Sequence, residues 1–158
     1  MGCGNSKVVV GKREANNYYG TIGSRPKLIA RSDYETRKWS KKPSERRQVT
    51  NHRLITFWHD PSCQLYNQVL DVIPDLWVAR IDILRVGPRG CPKPVKLVIT
   101  IWPYTLEKHL AWHLAIGCRA VLRKFGVWDV EVEILEDAWA ESRRVTKRVE
   151  VGEKTGGR

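Results

Sequence analysis

No two of the four cysteines in this 158-residue chain have C-x-x-C spacing. Cys3, Cys63, Cys91 and Cys118 therefore frame neither a zinc ribbon nor a thioredoxin-type motif, and free thiols fit a reducing, intracellular setting. No apolar h-region follows Met1, so a secretory signal is not expected. The apolar stretches are strand-sized and broken by Lys or Pro, which argues against a transmembrane helix. No internal repeat is present.

The spacings that carry chemistry are missing too. "GPRG" and "GEKTGGR" set glycines beside a cation, but neither has the G-x-x-x-x-G-K-[ST] spacing that cradles phosphates. His109 and His113 stand four apart, like two metal ligands on a helix. A zincin needs a glutamate after the first histidine; Leu110 stands there, and no third ligand has helical spacing to the pair. Cys118 falls on the apolar stripe of a helix, and neither Cys63 nor Cys91 has a base nearby in sequence. No paired-carboxylate site stands out. The expectation is a chain without catalysis, metal, cofactor or small-molecule substrate.

What is present is charge of one sign at one end. The net charge is +11, and residues 1–53 carry thirteen Lys and Arg against four acids. Residues 54–136 carry nine of each, and residues 137–158 six against four. A basic arm on a neutral domain points to a polyanion, either a lipid surface or a nucleic acid. Seven tryptophans point to a core built on large aromatic surfaces.

Residues 1–51 read as a largely disordered basic arm, because charge and turn residues leave little to bury. From residue 52 the pattern becomes regular. "HRLITFW" (52–58) reads as a strand of β-branched and aromatic residues. "DPSCQLYNQVLDVI" (60–73) reads as a helix capped by Asp60, with Leu65, Val69 and Leu70 on one face and Pro74 as its stop. "LWVARIDILRV" (76–86) and "VKLVITIW" (95–102) alternate as strands, with Val95, Leu97, Ile99 and Ile101 inward and Lys96 and Thr100 outward. Residues 104–126 read as a long helix, Thr105 a candidate cap and Gly126 its end. Its expected stripe is Leu106, Leu110, Leu114, Gly117, Cys118, Val121 and Phe125. "WDVEVEILE" (128–136) alternates with Val130, Val132 and Ile134 inward and Glu131 and Glu133 outward.

The order β-α-β-β-α-β predicts an α+β fold of ferredoxin-like type: two helices on one face of a four-stranded antiparallel sheet over 52–137. Residues 138–158 read as a charged, flexible tail. RNA-recognition modules share this order and stack bases on aromatics of the sheet. The third strand here lacks the required glycine and central aromatics, and Glu131 and Glu133 on the open face would repel phosphates. Trp58 and Trp102 alone argue the other way.

The run from "HRLITFWHD" through "DLWVARIDILRVG", "KPVKLVITIWPYTL" and "IGCRAVLRKFGVWDVEVEILED" resembles a domain of uncharacterised fungal proteins, over about residues 52–137. The resemblance implies a fungal origin and a module of unknown function. Longer members of that family continue into a region like a trypsin-type peptidase, so this chain is similar to the N-terminal module of such a protein. No catalytic residue carries over.

The start "MGCGNSK" fits the myristoylation pattern through Gly2 and Ser6, with Lys7 as a first basic residue and Cys3 placed for palmitoylation. Stable anchoring needs a second signal beyond one acyl chain. Cys3 is one, and "RKWSKKPSERR" (Arg37, Lys38, Lys41, Lys42, Arg46, Arg47) is another. The expectation is a non-catalytic interaction or targeting module on the cytoplasmic face of an anionic membrane, with an unidentified protein partner. The alternative is a soluble or nuclear protein that binds nucleic acid electrostatically through residues 37–53.

Overall fold

The computed structural model describes residues 9–19, 26–74 and 78–137. Strands β1 (Lys27–Arg31), β2 (Ser44–Gln48), β3 (Val78–Pro88), β4 (Val95–Ile101) and β5 (Glu131–Glu136) form one sheet in the order β1-β5-β4-β3-β2. The helices are α1 (Lys12–Asn17), α2 (Arg53–His59), α3 (Leu65–Val72) and α4 (Lys108–Lys124). The fold is α+β, but not the four-stranded antiparallel ferredoxin-like sandwich. Strand β5 runs parallel to β4, the other neighbours are antiparallel, and β1 and β2 form the two edges.

The departure starts at 52–58, expected as a strand and found as helix α2. Leu54, Phe57 and Trp58 sit at i, i+3 and i+4, so the same residues make an apolar helix face. His52 closes its N-terminus, its Nδ1 accepting the Leu54 N–H at 3.1 Å. Asp60 caps no helix. It accepts from the Ser62 N–H and hydroxyl in a turn before α3, whose N-cap is Gln64.

Strands β3 and β4 pair as a hairpin across the loop that ends at Pro94, where Gly90 takes φ +76°. Helix α4 carries the chain from β4 to the parallel β5, the crossover that parallel strands require. It ends as expected at Gly126, φ +78°. The Gly126 N–H donates to the Arg123 carbonyl and the Val127 N–H to the Leu122 carbonyl, a Schellman closure. Its N-cap is Glu107, not Thr105, whose hydroxyl donates to the Trp102 carbonyl at 2.6 Å. The buried stripe runs Ala111, Ala115, Cys118 and Leu122, turned from the expected one, and leaves Leu110 exposed. Small residues let α4 approach closely. A β-carbon on Gly117 would lie 3.0 Å from Val72 Cγ1 of α3.

Two cores flank the sheet. The first holds Leu54, Leu65 and Val69 against the inward residues of β4 and β5. The second holds Val10, Ala15, Tyr18, Tyr19, Leu28, Val86, Val98 and Leu135, with Trp39 and Tyr34 packed against it. The described residues of 10–48, expected as part of a disordered arm, thus supply α1, two strands and the cover of the second face. Lys96, Thr100 and Glu133, expected to face water, are buried beneath that cover.

Candidate functional site

Gly2, Cys3, Ser6 and Lys7 lie outside the described residues, as does the stretch 138–158. The six basic residues of 37–47 are within them, and all six are exposed. Arg37, Lys38, Lys41 and Lys42 lie on the loop entering β2, and Arg46 and Arg47 on β2 itself. Pairing of β2 with β3 adds cations the sequence count concealed. Arg47 stands opposite Arg85 in the register. Arg89 and Lys93, in the β3–β4 loop, approach Glu45 at 3.9 and 3.5 Å, and Arg47 approaches it at 3.7 Å. One carboxylate is thus shared among three cations. Residues 54–136 are neutral as a sum. Their Arg85, Arg89 and Lys93 nevertheless border this edge; Arg89 is the exposed one of the three, while Arg85 donates to the Lys93 carbonyl and Lys93 to the Pro88 carbonyl.

The cationic loop is held from below. The buried Arg31 donates from Nη1 to the Arg37 carbonyl at 2.7 Å and to Asp33 Oδ1 at 2.9 Å, and from Nε to Glu14 Oε1 at 2.6 Å. Burial works against its charge, but hydrogen bonds to Asp33 and Glu14 outweigh that and hold the guanidinium charged. The Trp39 indole N–H donates to the Lys42 carbonyl at 3.2 Å, and the Ser44 N–H donates to the Tyr18 carbonyl at 2.6 Å. Arg46 lies over the buried Tyr19 ring, 5.4 Å from its centroid. These ties spend the loop's backbone and its aromatic residue inward, and leave its ammonium and guanidinium groups to solvent.

Beneath lies a network of buried charges. Lys96, 2% exposed, reaches Glu133 Oε1 at 3.4 Å, Asp33 Oδ2 at 3.7 Å and the Tyr18 hydroxyl oxygen at 3.3 Å. The Tyr18 hydroxyl donates to Glu133 Oε1 at 3.0 Å. Burial pushes the Glu133 carboxyl up, Lys96 opposes this, and Asp33 reinforces it. Burial and the neighbouring Glu133 push the Tyr18 and Tyr19 phenols up as well. A cavity of about 40 Å³ is lined by Tyr18, Arg31, Asp33 and Lys96 of the network together with Trp39 and Ser44.

The chemistry available elsewhere is slight. Burial pushes the Cys118 thiol up to about 12, so it is no nucleophile. His52 Nε2 meets Asp129 Oδ2 at 2.7 Å, a dyad that a separation of 77 residues hides from sequence reading. Nδ1 accepts from the Leu54 N–H and Nε2 faces Asp129, so both ring nitrogens are engaged within the fold. Among the described residues no group of three His, Cys, Asp or Glu could hold a metal ion, and no helix is long and apolar enough to cross a membrane. The sheet face that an RNA-recognition module would offer to bases is covered by the second core, and Trp58 packs against the first.

No family model, curated protein or solved structure matches this chain. The likeness of residues 52–137 to the fungal domain therefore rests on the quoted motifs alone.

Proposed function

We propose that this chain is a non-catalytic targeting module that docks its β2 edge on an anionic membrane at the cytoplasmic face, acylated at Gly2 and Cys3. It presents an unidentified protein partner there. The observation that carries this reading is the exposed cationic edge of the sheet, formed by the six basic residues from Arg37 to Arg47 with the exposed Arg89 alongside. Each Lys or Arg near an anionic surface contributes about 1 kcal/mol. A few engaged cations give weak docking alone, and an acyl chain of similarly marginal strength makes it stable. A membrane is favoured over nucleic acid because the start of the chain carries the acylation pattern and, among the described residues, the second core covers the sheet face on which bases would stack.

Cosedimentation with vesicles of neutral or phosphatidylserine-containing composition tests the reading. The chain is expected to bind the anionic vesicles alone and to release with salt. Arg46→Glu with Arg47→Glu should weaken binding by roughly 30-fold or more. Equal binding to both vesicles, or tighter binding to a single-stranded oligonucleotide, would overturn it. In cells, Gly2→Ala should abolish fatty-acid incorporation and release the protein from membranes.

A further inference from the structure

At the opposite edge of the sheet, a groove of about 580 Å³ opens between α1, β1 and the segment leading into α4. Its size is that of a small-molecule site. The floor is apolar, formed by Ala15, Ile29 and Leu106, all buried. Three lysines line it from three separate elements: Lys12 of α1, Lys27 of β1 and Lys108 at the start of α4. All three are exposed, and among the described residues none of the three ammonium groups has a partner. The two carboxylates in the lining are engaged locally. Glu107 meets His109 at 3.4 Å, and Glu136 accepts the Tyr104 N–H at 3.3 Å. That contact ties down a tyrosine whose side chain is 96% exposed at the groove and whose backbone is left-handed, φ +62°.

We propose that this groove binds a small phosphomonoester with an aromatic or aliphatic body. A phosphate monoester carries close to two negative charges near neutral pH, which matches a groove lined by several lysines better than a single carboxylate does. Lysines serve phosphate as compact point charges. The floor of Ala15, Ile29 and Leu106 and the ring of Tyr104 take the body of the ligand. Lys12, Lys27 and Lys108 are far apart in sequence, so no motif announces the site. It exists because α1 and β1 fold back beside the start of α4. It lies on the β1 edge and is independent of the cationic β2 edge.

Calorimetric titration of the full chain with phenyl phosphate, inorganic phosphate and phenol tests the proposal. Phenyl phosphate is expected to bind more tightly than either of the others. Lys27→Glu with Lys108→Glu should lower its affinity roughly tenfold or more, while Arg46→Glu with Arg47→Glu leaves it unchanged. Both lysines are exposed, so an unaltered melting temperature verifies the fold of the variant. Amide chemical-shift changes on titration should centre on Ala15, Lys27 and Leu106. No heat with phenyl phosphate at millimolar concentration, equal binding by the lysine variant, or shifts confined to the β2 edge would each overturn the site. Inorganic phosphate binding as tightly as phenyl phosphate would overturn the ligand class.

Discussion

Replacing Lys96 with methionine removes one cation from the buried network and keeps most of the side-chain volume. In the intact protein that ammonium lies 3.4 Å from Glu133, 3.7 Å from Asp33 and 3.3 Å from the Tyr18 hydroxyl, at 2% exposure. Taking one partner from a buried ion pair costs about 3–5 kcal/mol, because the other charge is left without compensation. Glu133 limits the loss by taking up a proton, so the lower end of that range is expected. In a folded unit of this size the loss lowers the melting temperature by roughly 10–20 °C. The second half of the test is the double variant Lys96→Met with Glu133→Leu. It removes both charges, leaves apolar groups of similar size, and should recover about 2 kcal/mol of the single variant's loss. Urea unfolding followed by tryptophan fluorescence reads both values. A single variant within about 1 kcal/mol of the parent, or a double variant whose loss equals the sum of the two singles, would refute the buried-network argument.

Two further outcomes follow from the same face of the sheet. Burial raises the folded-state pKa of Glu133 above its ordinary value of 4.5, so its stability contribution is full below that value and is lost as pH rises toward the raised one. Relative to Glu133→Gln, the parent should lose up to about 1.4 kcal/mol per pH unit in that window; parallel stability curves for the two proteins would contradict it. A chain beginning at residue 52 lacks α1, β1 and β2 and uncovers Val86, Val98 and Leu135. It should show no cooperative urea transition, and a midpoint equal to that of the full chain would show that the N-terminal third is dispensable for folding.

The regular elements from residue 65 onward were legible because their signals are strong and local. β4 alternates over seven residues, α4 runs seventeen, and glycine ends α4 in the left-handed region. The misreadings share a cause. Strand β2, "SERRQ", has no apolar residue to report it, and backbone pairing with β3 makes it a strand. α2 carries residues with β propensity that also satisfy helical spacing, and packing on the first core decided between the two. Lys96 and Glu133 lie where a period of two puts the second face, but periodicity cannot say whether that face meets water. The six cations of the candidate docking edge were legible as a charge run, whereas Arg85, Arg89 and Lys93 were not, since a strand's neighbours are set by register.

The chain by itself determined its class, its strong local elements, and a basic segment whose charges no core could accept. Charge and periodicity are properties of neighbours in sequence, and they survive in any fold. The tertiary structure alone decided that this segment folds over the sheet, that Arg31 and Lys96 are buried beneath it, and that three lysines line one groove on the far edge. The residues involved come from elements well separated in sequence, and burial of the two cores brings those elements together.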